Sequence, residues 1–207
     1  MRLGATQIEM GDVGAGLAQC DTALALGPTA ADIGPLRAVQ GCGLVKLGRA
    51  SAGVVQLAAS LAAYDERCLA YPRTQCGLWL AEARLQLGEA ERARALVEGL
   101  LATCRQVGYR HLQGIAHRLL GECIGAGALA AGHLESARRL LERAGARNEL
   151  GKALRARAEV ARRDGEPGAA RDGFEQARVL FEELGTLDEP ARVRVALATL
   201  DGVPRPA

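Results

Sequence analysis

Apolar residues recur at steps of three and four along much of the chain. Between Ala90 and Cys104 the stripe is Ala93, Leu96, Val97, Leu100, Leu101 and Cys104. Between Ala169 and Leu184 it is Ala170, Phe174, Ala177, Leu180, Phe181 and Leu184. This spacing predicts amphipathic helices with one packed face. Glycine and proline punctuate the stripes, as in Gly27-Pro28, Tyr71-Pro72 and Gly165-Glu166-Pro167, and these pairs mark turns. Asp188, Glu189 and Pro190 predict the start of a last helix, with an acidic N-cap and an early proline. Ala191, Val195 and Ala198 share one face of it.

The helices repeat. Gly4, Gly41, Ala81, Gly121 and Ala158 hold corresponding places, at spacings of 37, 40, 40 and 37 residues. Seven residues after four of these markers stands a glycine: Gly11, Gly48, Gly88 and Gly165. Glycine there closes a helix in the left-handed conformation. Twelve residues after the marker a small residue recurs, Gly16, Gly53, Ala93 and Ala170, where a second helix crosses the first. The fourth unit differs. Gly125–Gly132 reads as a glycine-rich insert of about four residues at a hairpin tip, with its second helix resuming at His133. A self-similar period of this kind predicts a stacked helical solenoid. The hairpins are expected at about 1–27, 34–70, 73–107, 110–146 and 150–185, with a terminal helix over 188–201, all in one domain over 1–207.

Composition agrees with small-residue helix packing. Hydrophobic residues make up 49% of the chain and aromatics only 3%, so the core is built from Ala, Leu and Val. A net charge of +2 gives no strong pull toward nucleic acid or an anionic membrane. No window reaches the roughly 18 apolar residues of a membrane span, and the first nine residues lack the apolar run of a secretion signal. A cytoplasmic location follows. Six cysteines without a CxxC pair read as reduced and mostly buried. The N-terminal third is poor in charge. That blandness fits a surface covered by a second copy or by further sequence, and equally a genome rich in Ala and Gly codons. The first helix has only three residues before Gly4, so the chain reads as a piece of a longer protein.

Motifs for chemistry fail one by one. Gly145 to Lys152 has five residues between its glycines and Ala153 where a magnesium-binding Ser or Thr belongs, so it is no phosphate loop. His111 and His117 are six apart and fall on different helix faces, unlike the i, i+4 pair of a zinc site. No Ser/His/Asp or Cys/His grouping surrounds a nucleophile. The expectation is a non-enzymatic protein without cofactor or metal.

Leu120-Gly121, Ala170, Phe174 and Ala177 resemble the tetratricopeptide repeat. The period is longer than the usual 34 or so, and the aromatic of the first helix is replaced by Leu44, Arg84, Ile124 and Ala161. Long, loose repeats of this type are similar to the C-terminal tails of bacterial signalling ATPases, cyclases and transcription activators. The resemblance implies an all-α, right-handed superhelix of about five hairpins with a C-terminal capping helix. It also implies a groove lined by the first helices, here Gln75, Leu78, Glu82 and Leu85, then Arg118 and Glu122, then Lys152, Arg155, Glu159 and Arg162. Lys152, Arg155 and Arg162 form a cationic stripe suited to an acidic peptide. Glu159 and Ala156 stand where the chaperone-binding members carry asparagines. Trp79 and Tyr109 are expected to pack inside the hairpins. The function implied is a scaffold or docking module for a protein or peptide segment. The alternatives are an effector sensor of a bacterial regulator and a scaffold that self-associates through its N-terminal hairpins.

Overall fold

Ala, Leu, Arg and Glu favour helix, and the glycines between them stop it. This computed structural model describes residues 2–201, so the ends of the expected 1–207 domain lie outside the described residues. Eleven helices follow one another there: α1 Arg2–Glu9, α2 Val13–Ala25, α3 Ala30–Lys46, α4 Ala50–Glu66, α5 Ala70–Gln86, α6 Ala90–Val107, α7 Arg110–Ile124, α8 Gly127–Arg143, α9 Arg147–Arg163, α10 Pro167–Leu184 and α11 Glu189–Asp201. None is long and apolar enough to cross a membrane. The glycines expected at the hairpin tips do adopt positive φ, with Gly48 at 74° and Gly165 at 79°. Cys68, at φ 54°, takes the glycine's place after α4.

The chain divides into two compact units, Met1–Thr103 and Cys104–Ala207. In the first, α1 packs on α2, α3 on α4, α2 on α3 and α4 on α5; α1 also meets α3, and α3 meets α5. In the second, α7 pairs with α8 and α9 with α10, while α8 meets α9, α10 meets α11, and α7 meets α9. Within each unit this is the contact order of an all-α stack of hairpins, with first helices touching first helices. Burial follows the same division. The first helix α3 buries Leu36, Ala38, Val39, Gly41 and Val45 on several faces, whereas α8 buries one stripe, Ala130, Leu134, Ala137 and Leu141.

The marker residues are close crossings. A Cβ added to Gly41 would lie 3.1 Å from the Gly53 carbonyl oxygen and 2.7 Å from Leu57 Cγ. A second crossing lies seven residues before the markers Gly121 and Ala158. A Cβ on Gly114 would stand 2.6 Å from Leu141 Cγ, and one on Gly151 would stand 2.6 Å from the Phe181 ring. The later hairpins thus fit large side chains of the second helix over small residues of the first, while in the first hairpin Ile8 of α1 lies over Gly16 of α2.

Two expectations need correction. The segment Gly125–Gly132 is not a long loop. Gly125 ends α7 at φ 84°, and α8 already begins at Gly127. Marker Gly121 lies six residues before the start of its second helix, whereas Gly41, Ala81 and Ala158 lie nine before theirs. The fourth hairpin is therefore shortened at its tip, and its crossing residue is Ala130, whose carbonyl faces Gly121. The Ala-rich run after Gly127 is good helix, and the α8 N-terminus borrows a cap. Gly127 N–H donates to both carboxylate oxygens of Asp164, at 2.9 and 3.0 Å, from the next hairpin's tip. The second correction concerns α11. Its buried face holds Glu189, Val193 and Leu197, while Ala191, Val195 and Ala198 are exposed.

One proline sits inside a helix. Pro35 in α3 has no N–H for the Ala31 carbonyl. Arg67 Nη1 donates to that oxygen at 3.1 Å instead, and Ser60 Oγ donates to Gly34 O at 2.7 Å.

Candidate partner-binding faces of the first helices

Three residues before the markers stand Ala38, Leu78, Arg118 and Arg155. The first unit fills this place with apolar side chains and the second with arginines. Arg118, on α7, is only 1% exposed. Burial of a guanidinium is tolerable only with charged partners. It donates through Nη1 to Glu122 Oε1 at 2.9 Å and through Nη2 to Glu149 Oε2 at 3.2 Å. Lys152 Nζ donates to the other oxygen of Glu149 at 2.6 Å. Two cations and two carboxylates therefore close a network between α7 and α9.

The arrangement recurs one hairpin later. Arg155 Nε lies 3.3 Å from Glu189 Oε2. Glu149 and Glu189 both stand in the first turn of their helices, where the positive end of the helix dipole favours a carboxylate. Further along α9, Glu159 accepts from Arg162 Nη2 at 2.6 Å and Nε at 3.0 Å, and from Arg163 Nε at 3.2 Å. These hydrogen bonds, chiefly those from Arg162, hold the Glu159 carboxyl below its ordinary value.

The expected groove residues separate into two groups. On α5, Leu78 is buried, and Gln75, Glu82 and Leu85 are half-buried. On α7 and α9 the structure brings Arg118, Glu122 and Lys152 together. Arg155, Glu159 and Arg162 continue along α9. The cationic stripe is not open as drawn. Lys152 is buried against Glu149, Arg155 meets Glu189, and Arg162 is held by Glu159. Arg162 is the most exposed of the three. Sequence reasoning missed the two acids that organise this face, Glu149 and Glu189. They lie 40 residues apart, at one period of the repeat, which is the signal that marks them.

Outside this face, two histidines meet. His117 on α7 and His133 on α8 place their Nδ1 atoms 3.0 Å apart, with ring centroids at 5.2 Å. Desolvation, then the charges of His133 and Arg105, push His117 down to about 4. Among the cysteines, Cys20, Cys76 and Cys104 are buried, Cys42 and Cys123 half-buried and Cys68 exposed, all as free thiols. Burial pushes Cys76 and Cys104 up to about 11, so both are protonated at neutral pH. Trp79 packs against the first unit's core beside Leu80 and Ala83, as expected.

Helical hairpins stacked through small-residue crossings, with charged faces on the first helices, define a helical-repeat protein. The chain is similar to a solved structure of this fold, the crystal structure of the apo form of RapI. The TM-score is 0.59 at 16% identity, over 96% of this chain and 62% of that one. The chain thus spans less than two thirds of that relative. No protein-family model matches the sequence, and no curated protein matches it.

Proposed function

We propose that the chain is a non-enzymatic binding module, and that the charged first-helix face of its second unit receives a protein or peptide segment. One observation carries the reading. Positions filled by Ala38 and Leu78 in the first unit hold Arg118 and Arg155 in the second. Core packing alone calls for no charge there, since apolar side chains of similar volume stabilise a core at least as well as a buried ion pair. Around them Glu122, Glu159 and Arg162 keep part of their polar surface exposed. They offer both donors and acceptors to an incoming chain. An acidic segment enters by replacing Glu159 on the Arg162 guanidinium, a bidentate exchange of one carboxylate for another.

The test is selection of binders from a displayed peptide library on the intact chain. Binding of the selected peptides should weaken at least about tenfold in the double variant Glu122→Gln/Arg162→Ala, roughly 1.4 kcal/mol, with the helix signal unchanged. Equal binding by that variant removes this face from the function.

A second reading, self-association through the N-terminal hairpins, has its own observation. The α4 residues Ser51, Val55, Ala58 and Ala62 form an exposed stripe without charge, and Val55 is 64% exposed. Light scattering of wild type against Val55→Glu decides it. A monomer at every concentration excludes it.

A further inference from the structure

The contact between His117 and His133 serves neither the hairpin crossings nor the charged face. His117 projects from α7 and His133 from α8, six residues into the helix that begins at Gly127. Their sequence separation of 16 hides the pair from any same-helix search. Both rings are half-buried, so each is packed on one side and reachable from solvent on the other. The two Nδ1 atoms face each other at 3.0 Å, a gap that holds one proton.

We propose that His117 and His133 form a two-histidine site for a divalent ion of the nickel or copper class, bound through both Nδ1 atoms across the α7–α8 hairpin. The geometry is the argument. With metal–nitrogen bonds of about 2.05 Å, ligand atoms 3.0 Å apart subtend about 94° at the metal. That is the angle between neighbouring positions of a square-planar or octahedral ion, the geometry that divalent nickel and copper favour. A tetrahedral ion needs the nitrogens about 3.3 Å apart. Imidazole suits this class of ion, and neutral imidazole is the form that binds.

The proton balance is simple. In the neutral pair one ring carries its proton on Nδ1 and donates it to the other. On binding, that ring moves its proton to Nε2 through water, and both Nδ1 lone pairs turn to the metal. The neutral pair releases no net proton.

The site is open. Among the described residues no cluster of three or more His, Cys, Asp and Glu side chains is placed to hold a metal, so water fills the other positions. Arg105 faces His117, and its charge opposes the metal. The ion is therefore held in exchange with solvent, unlike a structural zinc enclosed by four protein ligands.

Nickel is the right probe, because divalent copper oxidises the free thiols. Tag-free full chain is titrated with Ni2+ by calorimetry. One equivalent should bind, and His117→Gln and His133→Gln should each weaken binding at least about tenfold. The thiols are unchanged in both variants. Should either variant fold poorly, the wild-type chain answers through its three histidines. Ni2+ should broaden two of the three imidazole C2–H resonances, and the sharp one should vanish in His111→Gln. The proposal is overturned by binding that persists in the double variant His117→Gln/His133→Gln, by broadening of His111 alone, or by no saturable binding below about 1 mM.

Discussion

A buried arginine is stabilising only while its partners are present. Arg118 meets this condition through two carboxylates, one on its own helix and one on the next first helix. Truncation to alanine leaves Glu149 with Lys152 and opens a gap between α7 and α9. Arg118→Ala should lower stability by about 3–5 kcal/mol, read as a fall in the urea midpoint. Arg118→Met should lose less than Arg118→Ala, because it fills the gap while Glu149 stays as the counter-charge of Lys152. Asp164 is a smaller case. Its carboxylate caps the α8 N-terminus from outside the hairpin, so Asp164→Ala should cost about 1 kcal/mol and lower Tm by about 2–4 °C. Such residues were only partly legible in the sequence. Arg118 stood out as a groove candidate, but its partner Glu149 is 31 residues away. Their meeting depends on how one hairpin stacks on the next, which no local spacing states.

Each hairpin is held by large side chains seated over small ones, and glycine positions differ sharply in consequence. Gly151→Ala places a methyl group against the Phe181 ring and should destabilise by about 1–3 kcal/mol through overpacking. Gly99 and Gly132 also lie within helices, but nothing stands within 4 Å of an added Cβ. Their change to alanine should stabilise by up to about 1 kcal/mol through helix propensity. Thermal melts of the three variants in one buffer check both signs. The α7–α8 hairpin carries part of the pH dependence. His117 takes its proton near 6.5 when unfolded and only near 4 when folded. The unfolded chain therefore binds more protons between those values, and stability falls as pH drops from about 6.5 toward 4. The loss should shrink in His117→Gln, and an unchanged acid melting profile in that variant refutes the assignment. The glycine and alanine markers made the hairpins readable. The fourth tip was misread because glycine at Gly125 and Gly127 looked like loop, while the Ala-rich run behind it packs as the start of α8.

Across the whole chain, charge is abundant but mostly paired at the surface, as in Arg178 with Glu175 and Glu182 or Arg138 with Glu135 and Glu142. Pairs of this kind contribute little and are screened by salt. Raising salt from about 0.05 to 0.5 M, which shortens the screening length from above to well below 10 Å, should therefore shift Tm by no more than about 4 °C. Scanning calorimetry at the two concentrations measures it. The broad class, an all-α hairpin repeat, was legible from periodicity because every hairpin reuses one solution. The charged face was less so, because it lies at positions the repeat leaves free to vary. The Arg118–Glu149 and Arg155–Glu189 contacts bear on a hazard of such chains. Units built on nearly the same pattern can dock out of order, and repeat proteins misassemble in that way. An arginine that must find an acid in the first turn of its neighbour makes adjacency a matter of recognition. A hairpin moved to a new place in the chain will settle there only if it brings the matching acid with it.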